Sequence, residues 1–88
     1  MSTNMKIEKL LQMLISVDNM DDCKALMEDL CTTKELENMA ERFYAAELLM
    51  AGKTYSQVME LSSISSATLS RVSRCVQYGN GYKKLIKD

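Results

Sequence analysis

Hydrophobic residues recur at helical spacing along the whole chain. Ile7, Leu10, Leu11, Leu14 and Ile15 follow an i, i+3, i+4, i+7, i+8 stripe, which predicts a helix over about residues 4–17. Asp18-Asn19 interrupts it. Cys23, Leu26, Met27, Leu30 and Cys31 then share one face of a second helix over about 20–31. Thr32 and Glu35 have capping-box spacing: the Thr hydroxyl accepts a first-turn amide hydrogen and the Glu carboxylate reaches back. They open a third helix that runs to about Ala51, with Leu36, Met39, Ala40 and Phe43 on one face. From Tyr44 to Ala51 only Glu47 is polar, and a helix apolar all round is buried all round. In 88 residues this predicts a central helix clasped by several others, drawn from two subunits. Gly52 ends the helix as the residue just beyond its C-cap.

Thr54 and Gln57 repeat the capping-box spacing and start a fourth helix over about 55–62, expected to bury Val58 and Met59 or Leu61. Ser63-Ile64 forms a turn. Ser65 caps a fifth helix to about Tyr78, with Leu69, Val72, Ser73 and Val76 facing inward. Gly79-Asn80-Gly81 breaks the chain, and a short last helix carries Tyr82, Leu85 and Ile86. The reading is all-α, with six helices in a single domain over residues 1–88. The absence of proline and the abundance of Leu, Met, Ala, Glu and Lys agree with it.

Composition narrows the function. No apolar run approaches the roughly 18–20 residues of a membrane span. The N-terminus lacks the basic-then-apolar order of a signal peptide, so the expected location is the cytoplasm. The three cysteines, Cys23, Cys31 and Cys75, are scattered and form no disulfide framework. With no histidine and no Cys-x-x-Cys, neither a zinc site nor another metal or cofactor is expected. The same absence removes the commonest general base, and no nucleophile has a base at motif spacing, so the chain reads as no enzyme. The methionines at Met13, Met27, Met39, Met50 and Met59 read as core filling, and Cys75, beside Val76, as a buried inert thiol. Tyr55, Tyr78 and Tyr82 read as anchors of the last helix.

The segment over about 54–78 has the build of a helix-turn-helix, whose second helix presents its N-terminal residues to base edges in the major groove. Side chains there must be short or polar. Ser66, Ala67 and Ser70 meet that need and lie opposite Leu69, Val72 and Val76. Ala67 suits a thymine methyl, and Ser66, Thr68 and Ser70 suit bases or phosphates. Arg74 reaches phosphate or guanine and Arg71 a phosphate, and Lys53, Thr54 and Gln57 lie where the first helix would approach the backbone. Serine and threonine are only fair helix formers. Capping accounts for Ser65 and the turn for Ser62 and Ser63, which leaves Ser66, Thr68 and Ser70 for DNA rather than for a merely solvated face. The net charge of −1 divides unevenly: residues 1–51 carry −5 and residues 52–88 carry +4.

From Asp29 to beyond Tyr78 the chain resembles the Trp-repressor superfamily, and within it the YerC/YecD-like branch. The resemblance is carried by Asp29-Leu-Cys-Thr32, Ala40-Glu-Arg42, Leu48-Leu-Met-Ala-Gly-Lys-Thr-Tyr55, Ser66-Ala-Thr-Leu-Ser-Arg-Val-Ser-Arg-Cys75 and Tyr78-Gly-Asn-Gly81. It implies an interlaced homodimer of six-helix chains that binds double-stranded DNA as a transcriptional regulator. It also implies an effector pocket between the central and recognition helices, with Arg42 and Arg71 in the places of the arginines that flank tryptophan and Thr32 opening the central helix. Two positions depart from the family pattern: Val72 replaces a glycine and Cys75 a serine. A β-branched side chain intrudes on a flat ring, and a thiol is a poor partner for an ammonium, so both count against tryptophan as effector. A protein-interaction adaptor without specific DNA binding is the second reading, supported by the net negative charge.

Overall fold

A computed structural model describes residues 1–87. Its helices are α1 (Thr3–Ser16), α2 (Met20–Leu30), α3 (Thr33–Met50), α4 (Tyr55–Leu61), α5 (Ser66–Tyr78) and α6 (Gly81–Leu85). Among the described residues there is no strand. The all-α reading holds, and the ends fall within a residue or two of those expected because local chemistry fixes them. Ser2 caps α1 by accepting the Met5 amide hydrogen, and Asn19 caps α2 by accepting that of Asp22 at 2.8 Å. At the start of α3 the capping box is complete. The Thr32 amide donates to Glu35 Oε1 at 2.7 Å, and the Glu35 amide donates to Thr32 Oγ1 at 3.1 Å. The bond from the Thr32 backbone, and then that with its side chain, hold the Glu35 carboxyl below its ordinary value of 4.5. At the far end Gly52 takes φ +93°. Its amide donates to the Leu49 carbonyl and that of Lys53 to the Leu48 carbonyl, each at 3.0 Å, which is a Schellman motif.

The chain packs as two compact units, Met1–Leu36 and Glu37–Asp88. In the first, α1 and α2 bury no residue. Ile7, Leu11, Ile15 and Met20 all stand exposed, Ile15 by 83%.

The second unit has a core of Ala45, Ala46, Val58, Ile64, Leu69 and Val72, with Leu48, Leu49, Val76, Tyr82 and Ile86 packed against it. The end of α3, the α4–turn–α5 segment and α6 thus surround one small cluster. Several expectations are corrected in the single chain. The second half of α3 buries Ala45 and Ala46 but leaves Phe43 and Tyr44 exposed and Leu48, Leu49 and Met50 half-buried, so one chain by itself does not enclose it on every side. Met59 and Leu61 are exposed, because a helix of only seven residues turns one position, Val58, fully into the core. Met13 and Met39 are exposed and Met27 and Met50 half-buried, so none of these methionines fills the core of the single chain. Tyr82 packs on the core as an anchor, whereas Tyr55 and Tyr78 are exposed.

Candidate nucleic-acid interface

The α4–turn–α5 segment is built by local capping and held by a few apolar anchors. At the entry to α4 the Thr54 amide donates to Gln57 Oε1 at 2.9 Å and the Gln57 amide donates to Thr54 Oγ1 at 3.2 Å. At its exit both the amide and the hydroxyl of Ser62 donate to the Val58 carbonyl. The turn is pinned by Ile64, which is buried in the core. It is also tied to α3, since the Ser63 amide donates to Glu41 Oε2 at 3.2 Å. Ser65 then caps α5: its Oγ accepts the Thr68 amide hydrogen at 3.2 Å and donates to Thr68 Oγ1 at 3.0 Å.

With Leu69, Val72 and Ser73 turned into the core, α5 exposes Ser66, Ala67, Ser70, Arg71 and Arg74. No large apolar side chain interrupts that series from Ser66 to Arg74. Lys53, Thr54 and Gln57 are exposed at the start of α4. Thr68 is half-buried, with its hydroxyl oxygen already accepting from Ser65. Gln57 spends its carbonyl oxygen on the capping box and keeps its amide nitrogen for a partner.

Of the residues assigned to an effector pocket, two come together. Arg71 and Cys75 share an open cleft of about 520 Å³ with Arg74, Tyr78 and Gly79. Val72 is 2% exposed in the core, so its side chain does not wall that cleft. Arg42 is half-buried on α3 and is not among the lining residues, and Thr32 serves as the cap of α3 in the first unit. Cys75 is exposed rather than buried. It lies one position short of Val76, about 100° around the helix from the inward stripe. A second cleft of about 480 Å³, almost wholly apolar, is walled by Phe43, Cys75, Tyr82, Leu85 and Ile86 among others.

Glu41 carried part of the family resemblance, but its bond to the turn escaped the sequence reading. The residue is one of many acidic residues in the first half of the chain. Nothing local marks that bond, because the partner lies 22 residues away.

Two capped helices about a pinned turn, with a short polar outer face, define an all-α helix-turn-helix protein. The sequence model of the Trp repressor protein matches residues 5–88, and the chain belongs to that family. The match takes in α1 and α2, beyond the segment that carried the resemblance in the sequence. YerC, an uncharacterized protein of Bacillus subtilis strain 168, is 32% identical over 83 residues, spanning 94% of this chain and 80% of YerC. A TrpR-like protein from Eubacterium eligens superposes with a TM-score of 0.87 at 35% identity, covering 92% of this chain and 84% of that one. A candidate Trp repressor from Staphylococcus aureus does so with a TM-score of 0.84 at 32% identity, covering 89% of this chain and 79% of that one. The helical fold is that of Trp-repressor-like proteins. No helix among the described residues is long and apolar enough to cross a membrane.

Proposed function

We propose that the protein is a sequence-specific DNA-binding transcriptional regulator that acts in the cytoplasm as a homodimer. The observation that carries this is the exposed face of α5. Ser66, Ala67 and Ser70 stand clear of large apolar neighbours, with Arg71 and Arg74 in the next turns. Such a face fits the floor of a major groove, and the arginines and Lys53 meet the phosphates that flank it. Thr54, Gln57 and Thr68 complete the contact set, with Gln57 using its free amide nitrogen. Phosphate contacts supply most of the affinity and base contacts the preference. The two recognition helices of the dimer lie about one DNA turn, 34 Å, apart on a pseudo-palindromic site. In that assembly residues 1–88 act as a single domain, interlaced with its copy.

The reading is tested by selecting bound sequences from random duplex DNA and measuring the affinity of the winners against salt. An enriched two-fold motif with a linear fall of log K in log salt is the expected result. Absence of binding at low salt to any duplex would remove the regulator reading. It would leave the adaptor, a helical domain that binds a partner protein without specific DNA, which the net charge of −1 favours.

DNA binding in this proposal is constitutive and uses no cofactor. Arg71 faces the cleft it shares with Cys75 and serves a phosphate rather than an indole. Thr32 and Val72 have structural duties in a cap and in the core, and Arg42 is half-buried on α3. An effector that bound only the folded protein would stabilise it by about 2.7 kcal/mol at a hundredfold excess over Kd. Melting curves in millimolar tryptophan are therefore expected to be flat. An upward shift that Arg42→Ala abolishes would reinstate tryptophan as the ligand.

A further inference from the structure

The recognition helix can read DNA only if its starting point is fixed, and that point is set by the turn before it. Ile64 holds the turn by burial, which is non-directional and tolerates small rotations. The Ser63 amide supplies a directional tie by donating to Glu41 Oε2 at 3.2 Å. Among the described residues this is the one hydrogen bond with a side chain that joins positions far apart in sequence. No backbone carbonyl among the described residues takes the Ser63 hydrogen. Glu41 lies one helical turn before Ala45, which is fully buried, so its half-buried side chain leaves α3 at the edge of the core. Two residues beyond Ser63, Ser65 begins the cap of α5.

We propose that Glu41 is a positioning residue for DNA reading: by accepting the Ser63 amide hydrogen, its carboxylate ties the turn to α3 and fixes how α5 is presented to the groove. This rests on the DNA-binding reading given above. Glu41 touches no base or phosphate in this role. Its loss therefore lowers discrimination between sequences more than it lowers general affinity. Removing a negative charge strengthens attraction to every duplex alike, and that effect cancels in a ratio of two affinities.

The experiment compares the wild type with Glu41→Ala, Glu41→Gln and Glu37→Ala. The glutamine keeps an acceptor oxygen at the same reach. Glu37 is an exposed acid one turn earlier on α3, and its removal controls for charge. Affinities for the selected duplex and a scrambled one are measured at equal salt, together with the melting temperature and hydrogen exchange at the Ser63 amide. In Glu41→Ala the specific-to-scrambled ratio falls about fivefold, the worth of a typical hydrogen bond. Ser63 exchanges faster, and the protein stays folded at the temperature of the assay. Glu41→Gln and Glu37→Ala keep the wild-type ratio. An unchanged ratio in Glu41→Ala, or an equal fall in Glu37→Ala, overturns the proposal while leaving the DNA reading intact. A loss of discrimination that disappears on cooling away from the melting transition also overturns it, because the role is then only structural. If the wild type itself does not discriminate, the DNA reading fails and this role goes with it.

Discussion

A leucine in place of Ser66 would put a branched side chain where α5 now exposes a hydroxyl. The groove floor then meets bulk, and the helix is held away from the base edges. Ser66→Leu is expected to retain salt-dependent binding to any duplex and to lose preference for the selected one. Arg74→Ala acts differently. A phosphate contact carries no sequence information, so affinity should fall across all duplexes and the salt slope should shrink by about one. A gel-shift series over salt separates the two outcomes, and a sequence preference retained by Ser66→Leu would remove α5 from the groove. Glu35 makes a third test at this scale. Its carboxyl is held down by hydrogen bonds from Thr32, backbone first and side chain second. A carboxyl depressed in the folded state adds stability that is fully present above its ordinary value of 4.5 and is lost as pH falls through the lower folded value. The Thr32 amide resonance should therefore shift from its neutral-pH position only under acid, and Glu35→Ala should abolish that titration. The exposed Ser–Ala–Ser face was legible in the sequence because helical periodicity alone sorts it from Leu69 and Val72. Cys75 and Glu41 were not. The exposure of one depends on a single step around the helix, and the partner of the other comes from a distant turn.

Helices α1 to α5 each begin at a short-range side-chain cap, so element boundaries were the most readable level. Thr54 with Gln57, Ser65 before Thr68 and Gly52 beyond α3 all act within a few residues of themselves. What each helix buries depends on remote surfaces, and within a single chain Met59, Leu61 and the other methionines stay outside the core. The end of α5 shows how tight a local device becomes. The Gly79 amide donates to the Cys75 carbonyl at 2.8 Å, and a β-carbon at Gly79 would stand 2.6 Å from that same oxygen. The backbone φ there is −82°, so any penalty comes from contact rather than from handedness. Gly79→Ala must push the chain off α5, at the roughly 1–3 kcal/mol of an overpacked site. For a domain of this size each kcal/mol moves the melting temperature by roughly 4–8 °C. Gly81, only two residues on, has open space where a β-carbon would stand. Gly81→Ala should therefore be neutral or slightly stabilising. Equal melting temperatures for the two variants would show that α5 does not end as described.

At the scale of the whole molecule, the first unit sets the problem. Two helices of 14 and 11 residues bury no residue fully, yet they carry Ile7, Leu10, Leu11 and Ile15 along one stripe. Helices shorter than about 12–15 residues are marginal in water by themselves, and their stability in proteins comes from burial of an apolar face. Ordering 36 residues with only Leu14, Val17, Leu26, Met27, Cys31 and Leu36 half-buried offsets little of the lost chain entropy. A second copy presents the same unmet stripes and its own open apolar cleft beside Phe43, Tyr82 and Leu85. The periodicity that announced these stripes was plain in the sequence, but it is blind to which chain covers them. The homodimer proposed above would cover these stripes, and it makes a sharp contrast at Leu11, which is 53% exposed in the single chain. If the protein were a monomer, Leu11→Asp would be a surface change worth within about 0.5 kcal/mol of nothing. If the stripe is both core and interface, a buried unpaired carboxylate at Leu11 unfolds both chains together. Gln12→Asp, beside it but off the stripe, should leave the fold intact. Circular dichroism and sedimentation at micromolar concentration decide between the two. The expected result is a dimer for the wild type and for Gln12→Asp, with a wild-type melting temperature that rises with protein concentration. Leu11→Asp is expected to lose its helical signal. A folded, monomeric Leu11→Asp protein would sink the interlaced dimer.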